Sequence, residues 1–231
     1  MKRFFLLGMT LFFLSTELIQ GQENPSRYLL SMQRKYSGLK DYTADIRIHF
    51  DMEALKAPDM QAKLYYKSPD KMKVESKGVF FFPREAGYFN PSTFKPEDFE
   101  VKFLEHLIYE RKSAVRLQLT PRELKRSNQR FVLTVDMDQN LILRIDSLTV
   151  EGKKMIATID YGKFEEFDLP THIEIQLEVP PTEPERMREF GPFAQKSKGV
   201  TGKVDITYSN YKVNSGLSDE IFRETEPLKS K

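Results

Sequence analysis

Polar and apolar residues alternate with a period of two along most of this chain. The pattern is cleanest from Asp41 onward. Tyr42, Ala44, Ile46, Ile48, Phe50 and Met52 fall on one side there, and Thr43, Asp45, Arg47, His49 and Asp51 on the other. Successive side chains of a strand point to opposite faces, so this spacing predicts a β-strand with one buried face. Comparable alternation runs through Met60, Ala62, Leu64 and Tyr66, then Met72 and Val74, and further on through Val115, Leu117 and Leu119. Four more runs follow the same rule: Phe131 to Val135, Leu141 to Ile145, Met155 to Tyr161, and Ile173, Ile175, Leu177 and Val179. Val204, Ile206 and Tyr208 close the series, and Val79 to Phe82 is a short apolar run stopped by Pro83. Turn chemistry separates these runs at Ser68-Pro69-Asp70, Pro121 to Gln129, Asp136 to Asn140, Glu151 to Lys154 and Leu169-Pro170. The reading is about nine or ten strands in a largely meandering order, without the strand–helix–strand alternation of a parallel sheet.

The period departs from two in few places. Asn24 and Pro25 open a helix in which Tyr28, Leu29, Met32 and Tyr36 recur at helical spacing before Gly38, an amphipathic element of roughly four turns. Phe94 to Tyr109 reads in two ways. It is a short helix entered at Pro96, with Phe99, Phe103 and Leu107 four residues apart, or it is a strand. Pro180 to Gly199, proline-rich and charged, reads as a loop with a helical turn that carries Met187, Phe190 and Phe193.

A sheet with one apolar face needs cover. Nine strands at about 4.8 Å spacing make a sheet roughly 43 Å wide, whereas a helix is about 10–12 Å across. One helix leaves most of that face open, so the sheet must curl on itself into a full or partial barrel around a packed interior or a cavity. Between positions 80 and 103 lie Phe80, Phe81, Phe82, Tyr88, Phe89, Phe94, Phe99 and Phe103. That is more aromatic surface than an edge strand and its loop require, and it fits either ordinary core or the wall and mouth of a ligand cavity.

The first 21 residues stand apart. Lys2 and Arg3 precede an apolar run from Phe4 to Leu14, and a more polar stretch ends at Ile19-Gln20-Gly21. These are the three regions of a cleavable export signal. The apolar run is shorter than the roughly 20 residues that span a bilayer. The expected mature chain starts at Gln22 and forms one soluble domain over residues 22–231. Losing Lys2, Arg3 and Glu17 takes the 36 basic residues to 34 and the 34 acidic residues to 33, a net charge of about +1. That balance excludes the basic footprint of a nucleic-acid binder. Cysteine is absent, which removes disulfides, thiolate metal sites, a cysteine nucleophile and N-terminal lipidation at cysteine.

Catalytic chemistry is sparse as well. Of the three histidines, His49 and His172 sit on polar strand faces beside Arg47, Asp51, Glu174 and Gln176. No zinc spacing, phosphate-cradling glycine loop or nucleophile elbow is present. Glu165-Glu166 with Asp168 could serve as a carboxylate pair but reads as a solvated bend. An enzyme is thus poorly supported by the residues, a hydrolase with a site assembled from distant positions being the least favoured reading, and no metal or cofactor is expected.

Several segments resemble the LolA-like superfamily of periplasmic lipoprotein carriers and related lipid-binding proteins. They are the stretch Tyr36 to Asp45 leading into the first strand, Ala62 to Val74, Ile206 to Asn214 and Asp219-Glu220-Ile221-Phe222. The resemblance covers nearly the whole mature chain. It implies a mainly β (α+β) fold, an antiparallel sheet rolled into an incomplete β-barrel, with helices and loops as a lid over an apolar cavity for acyl chains. On that basis Ile46, Ile48, Phe50, Leu64, Tyr66, Met72 and Val74 are candidate lining from the first strands. Phe80, Phe82, Phe89, Phe103, Ile173, Ile175 and Leu177 complete the set. Tyr28, Met32 and Tyr36 of the helix, with Met187, Phe190 and Phe193 of the insertion, are candidate lid or mouth residues. The implied protein is a periplasmic monomer that carries a lipid or lipoprotein acyl chain between an inner-membrane donor and an outer-membrane acceptor. A sensor or interaction module with a packed barrel is the alternative. One departure is local: lipoprotein carriers often have arginine before the proline of the second strand, and this chain has Ser68, with Lys67, Lys71 and Lys73 close by.

Overall fold

The computed structural model describes residues 24–52, 57–76, 93–123, 129–149, 152–179 and 200–223. Helix α1 spans Ser26–Lys35, and Asn24 Oδ1 accepts from the Ser26 N–H at 3.1 Å. At ten residues it is just under three turns, shorter than the sequence spacing suggests, because Tyr36 to Gly38 already form the turn into the first strand. Strands β1 (Asp41–Met52), β2 (Met60–Lys67) and β3 (Lys71–Glu75) follow. A second series holds β4 (Phe99–Tyr109), β5 (Lys112–Pro121), β6 (Gln129–Asp136), β7 (Leu141–Thr149), β8 (Lys154–Phe164), β9 (Phe167–Val179) and β10 (Val200–Val213). A 3-10 turn at Asp219–Phe222 completes the elements. The open reading of Phe94 to Tyr109 resolves as a strand from Phe99.

All ten strands form one antiparallel sheet in the order β3-β2-β1-β10-β9-β8-β7-β6-β5-β4. From β4 to β10 the chain meanders. It reaches the far edge once, between β3 and β4, and β10 then pairs with β1. The edges β3 and β4 stay unpaired with each other, so the barrel is incomplete. One face carries a continuous core from Leu64 on β2 through Ile48, Ile206, Ile175, Ala157 and Ile145 to Leu133 and Leu117. Among the described residues, α1 is the only α-helix available to cover it, through Tyr28, Leu29 and Met32. Ten strands at about 4.8 Å give a width near 48 Å, which a helix about 15 Å long cannot hide. The sheet encloses its own apolar face by curling.

Curling requires kinks, and pairing slips at four places: Thr43/Asp45, Phe103/Glu105, Thr134/Val135 and Asp160/Tyr161. Each bulge bends the strand and increases its twist. It also changes which residues face inward. Leu107 lies opposite Ala114, whereas His106 lies opposite Val115, which is fully buried in the core. The Phe99, Phe103 and Leu107 stripe is therefore broken at Leu104. Similarly, Leu141 pairs with Asp136 rather than Val135, and Leu141 and Leu143 are buried outside the main core. Leu169-Pro170, expected as a turn, lies inside β9. The chain reverses earlier at Glu165-Glu166, with Glu165 at φ 53°, and Pro170 sits beside the bulge, where its missing N–H breaks no regular ladder.

After β10 the chain folds back over the start of β1. Asp41 is 3% exposed, and its carboxylate accepts from Ser215 N at 2.8 Å, Gly216 N at 3.1 Å and Leu217 N at 3.2 Å. Asn214 Oδ1 accepts from Lys40 N at 2.8 Å, while its Nδ2 donates to the Gly38 carbonyl at 3.1 Å. Lys67 and Lys71 pair with Asp219 at 2.8 and 3.0 Å, and Lys67 Nζ also donates to the Leu217 carbonyl. The two ammonium groups hold the Asp219 carboxyl below the usual range. Of the lysines around Ser68-Pro69, Lys67 and Lys71 are thus engaged by the C-terminal segment, while Lys73 pairs with Glu75 of β3 at 2.8 Å.

Candidate functional site: the apolar face of the half-barrel

The core-facing positions of β1, β2 and β9 place Ile46, Ile48, Phe50, Leu64, Tyr66, Ile173 and Ile175 in one buried cluster, with Leu177 and Val74 packed at its margin. Phe103 is also at the margin, on the far edge strand, with its ring 4.8 Å from that of His106. Met72 differs: on the short edge strand β3 it is 42% exposed, although its pairing with Tyr66 puts it on the same face. From the helix, Tyr28 and Met32 are buried and Tyr36 is partly so. Phe80, Phe82, Phe89, Met187, Phe190, Phe193 and the segment read as an export signal, residues 1–21, lie outside the described residues.

The two ends of this face differ chemically. At the end where β1 starts and β10 finishes, tyrosines gather. Tyr42 stacks on Tyr66 with ring centres 4.9 Å apart, lies 5.5 Å from Tyr211, and Tyr211 in turn meets Phe164 at 4.4 Å and Tyr208 at 6.4 Å. Two bulges make this possible. Asn210, at φ 52°, lies where two residues of β10 oppose Ala44 alone, which turns Tyr211 to the same side as Tyr208. The slip after Asp160 sets Tyr161 opposite Pro170. At the other end the buried residues are Phe50, Met52, Met60, Met155 and the ring trio Phe94, Phe99 and Phe131, whose centres are 5.5–6.1 Å apart.

Most of the phenols are satisfied by main-chain carbonyls. The Tyr36 hydroxyl donates to Asp168 O at 2.7 Å, Tyr161 to Ile142 O at 2.8 Å, Tyr211 to Pro170 O at 2.9 Å and Tyr66 to Pro69 O at 3.2 Å. Burial first, and neighbouring tyrosines second, push the Tyr42 and Tyr211 hydroxyls well above the usual phenol value; burial alone does so for Tyr208. All three hydroxyls stay protonated, and that of Tyr211 donates to the Pro170 carbonyl. Helix α1 is tied to this end by Lys35, which pairs with Asp168 at 2.6 Å. Asp168 is accordingly a structural anchor, and Glu165-Glu166 form the exposed bend expected of them.

The opposite face is a field of exposed ion pairs. His49 Nδ1 lies 2.6 Å from Asp59 Oδ1, and Arg47 shares that carboxylate. His172 is flanked by Asp205 at 3.1 Å and Asp160 at 3.4 Å. Among the described residues no group of three or more acidic, histidine or cysteine side chains is placed to hold a metal. None of their helices is long and apolar enough to cross a membrane.

A domain described as outer membrane lipoprotein-sorting, from Vibrio parahaemolyticus, superposes with a TM-score of 0.62 over 87% of this chain and 97% of its own, at 11% identity. The two share one fold. A DUF1329 family protein from Desulfovibrio piger superposes with a TM-score of 0.61 at 14% identity, over 86% of this chain and 95% of that one. The LolA superfamily protein NE2245 from Nitrosomonas europaea covers 85% of this chain and 97% of its own, at 14% identity and a TM-score of 0.48. No family model and no curated protein matches the sequence. The alternation in the sequence placed the core-facing positions of β1, β2 and β9 but did not bring out Tyr161, Tyr208 and Tyr211 as one group, nor His106 opposite Val115. No local signal marks them, because bulges and pairing between distant strands bring them there.

Proposed function

We propose that this protein is an exported, periplasmic carrier that binds a lipid or lipoprotein acyl chain along the apolar face of its half-barrel, without catalysing a reaction. The observation that carries this reading is a ten-strand sheet, open at both edges, whose inward face is apolar from β2 to β5 and receives one ten-residue helix among the described residues. Burying hydrocarbon there yields about 0.8 kcal/mol per methylene, so a long chain supplies on the order of 10 kcal/mol before ordering costs. Similarity in fold to a lipoprotein-sorting domain supports the same class of cargo. The export signal and the absence of cysteine fit a chain released in soluble form from the inner membrane, to hand its ligand to an outer-membrane acceptor.

A second reading, a sensor or interaction module with a solid interior, is favoured by the complete burial of Leu117, Leu119, Leu133 and Val135 on β5 and β6. One experiment separates the two. The mature chain is purified without detergent, its organic extract is analysed by mass spectrometry, and the stripped protein is titrated with a fluorescent fatty acid. A carrier releases acyl lipid and takes up the probe saturably. A chain that does neither is a packed module.

A further inference from the structure

The phenols of Tyr42 and Tyr208 differ from those of their neighbours. Both residues belong to the core, at 2% and 4% exposure. Their hydroxyls nevertheless have no hydrogen-bond acceptor among the described residues, whereas Tyr36, Tyr66, Tyr161 and Tyr211 each donate to a carbonyl. No buried side-chain oxygen or nitrogen in the described structure is both sealed and unpaired. Each of these two hydroxyls therefore touches space that another oxygen can occupy. The pair comes from adjacent strands: Tyr208 is the register partner of Ile46, and Tyr42 that of Val213. A donor buried without an acceptor destabilises a fold by about as much as a hydrogen bond contributes. The apolar face thus carries two phenolic donors that no acceptor of the described residues engages.

From this geometry we infer that Tyr42 and Tyr208 form a polar subsite that donates hydrogen bonds to the acyl oxygen of the cargo, a carboxylate or an ester carbonyl. The hydrocarbon then runs toward Phe50, Met52, Met60 and Met155. The inference rests on the carrier reading and adds to it an orientation and a preference: the cargo is held by its oxygen end at the tyrosines, and bare hydrocarbon is held less well. The direction follows from the contrast between the two ends. Near the start of β1 the lining has two phenols with no acceptor among the described residues, whereas at the far end the described polar side chains on this face are already engaged: Ser147 Oγ, between Phe131 and Met155, accepts from Gln129 Nε2 at 2.9 Å, and Thr149 Oγ1 accepts from Lys153 N at 3.2 Å. Placing the oxygen at the far end would set it in competition with the Gln129–Ser147 hydrogen bond and leave both phenols without an acceptor.

The test uses the mature protein and its Tyr42→Phe, Tyr208→Phe and Tyr161→Phe variants. Three probes are titrated: palmitate, methyl palmitate and the hydrocarbon diphenylhexatriene. Tyr42→Phe and Tyr208→Phe should each weaken palmitate about three- to tenfold, the worth of one hydrogen bond, and leave diphenylhexatriene within about twofold. If methyl palmitate weakens with palmitate, the acceptor is a carbonyl shared by esters and acids; if palmitate alone weakens, it is a carboxylate. The apo melting temperature should hold or rise in both variants, because no internal hydrogen bond is lost. Tyr161→Phe, which loses its bond to the Ile142 carbonyl, should melt earlier without favouring one probe over another. Equal loss for acyl and hydrocarbon probes, no loss for palmitate, or a lowered apo melting temperature in both variants would overturn the subsite while leaving the carrier intact. A wild type that binds none of the three overturns both.

Discussion

Removing the Asp41 carboxylate should loosen the C-terminal segment from the sheet. Asp41 receives Ser215 N at 2.8 Å, Ser215 Oγ at 3.2 Å, Gly216 N at 3.1 Å and Leu217 N at 3.2 Å. Hydrogen bonds to a charged group contribute roughly 1.5–3 kcal/mol each, so four independent ones would exceed 6 kcal/mol. They are not independent, since they converge on one carboxylate, and the freed donors of exposed Ser215 and Gly216 regain water. We therefore expect Asp41→Ala to lose about 3 kcal/mol. For a chain of this length that is a drop of about 6–12 °C in melting temperature. Asp41→Asn keeps one acceptor oxygen and should lose about two-thirds as much. Thermal and urea unfolding followed by far-UV circular dichroism measure both, and limited proteolysis should cut the variants first near residues 215–222. An Asp41→Ala protein within about 1 kcal/mol of wild type would show that the segment is held by the Lys67 and Lys71 pairs with Asp219 instead.

Three other expectations are independent of the clasp. Ile175, fully buried, and Gln176, exposed, are neighbours on β9; Ile175→Asp should cost several kcal/mol and Gln176→Asp almost nothing, and equal losses in urea melts would refute the facing of this strand. The hydrogen bond to Asp59 raises the pKa of His49 above its ordinary 6.5, and the same bond lowers that of Asp59 below 3.8. The pair thus contributes below the raised histidine value and above the lowered carboxylate value, and is lost outside that window at either end. Asp59→Asn should return His49 toward 6.5 in an NMR titration, and an unchanged midpoint would refute the coupling. Finally, the secreted form should begin at or near Gln22, as intact mass and N-terminal sequencing would show; a membrane-bound chain retaining Met1 would overturn the export reading.

Period-two alternation by itself determined the class of fold, the number of strands to within one, and the inward face of β1, β2, β5, β8 and β9. Burying a charge at one of two adjacent positions costs several kcal/mol more than at the other, so the pattern is written strongly wherever a strand is regular. The same logic made a curled sheet necessary, because strand width and helix diameter are generic quantities. Only the tertiary structure decided the rest. A bulge resets parity without leaving a local mark, which is why Leu107 reads as part of the Phe99 and Phe103 stripe when His106 is the residue opposite Val115. Pro170 reads as a turn for the same reason, though it lies within β9. Strand order was equally hidden. Tyr42 meets Tyr211, and Asp41 meets Ser215, only because β10 returns beside β1 more than 160 residues later. Contacts at that separation depend on which strands pair and in what register, and a local period carries information about neither.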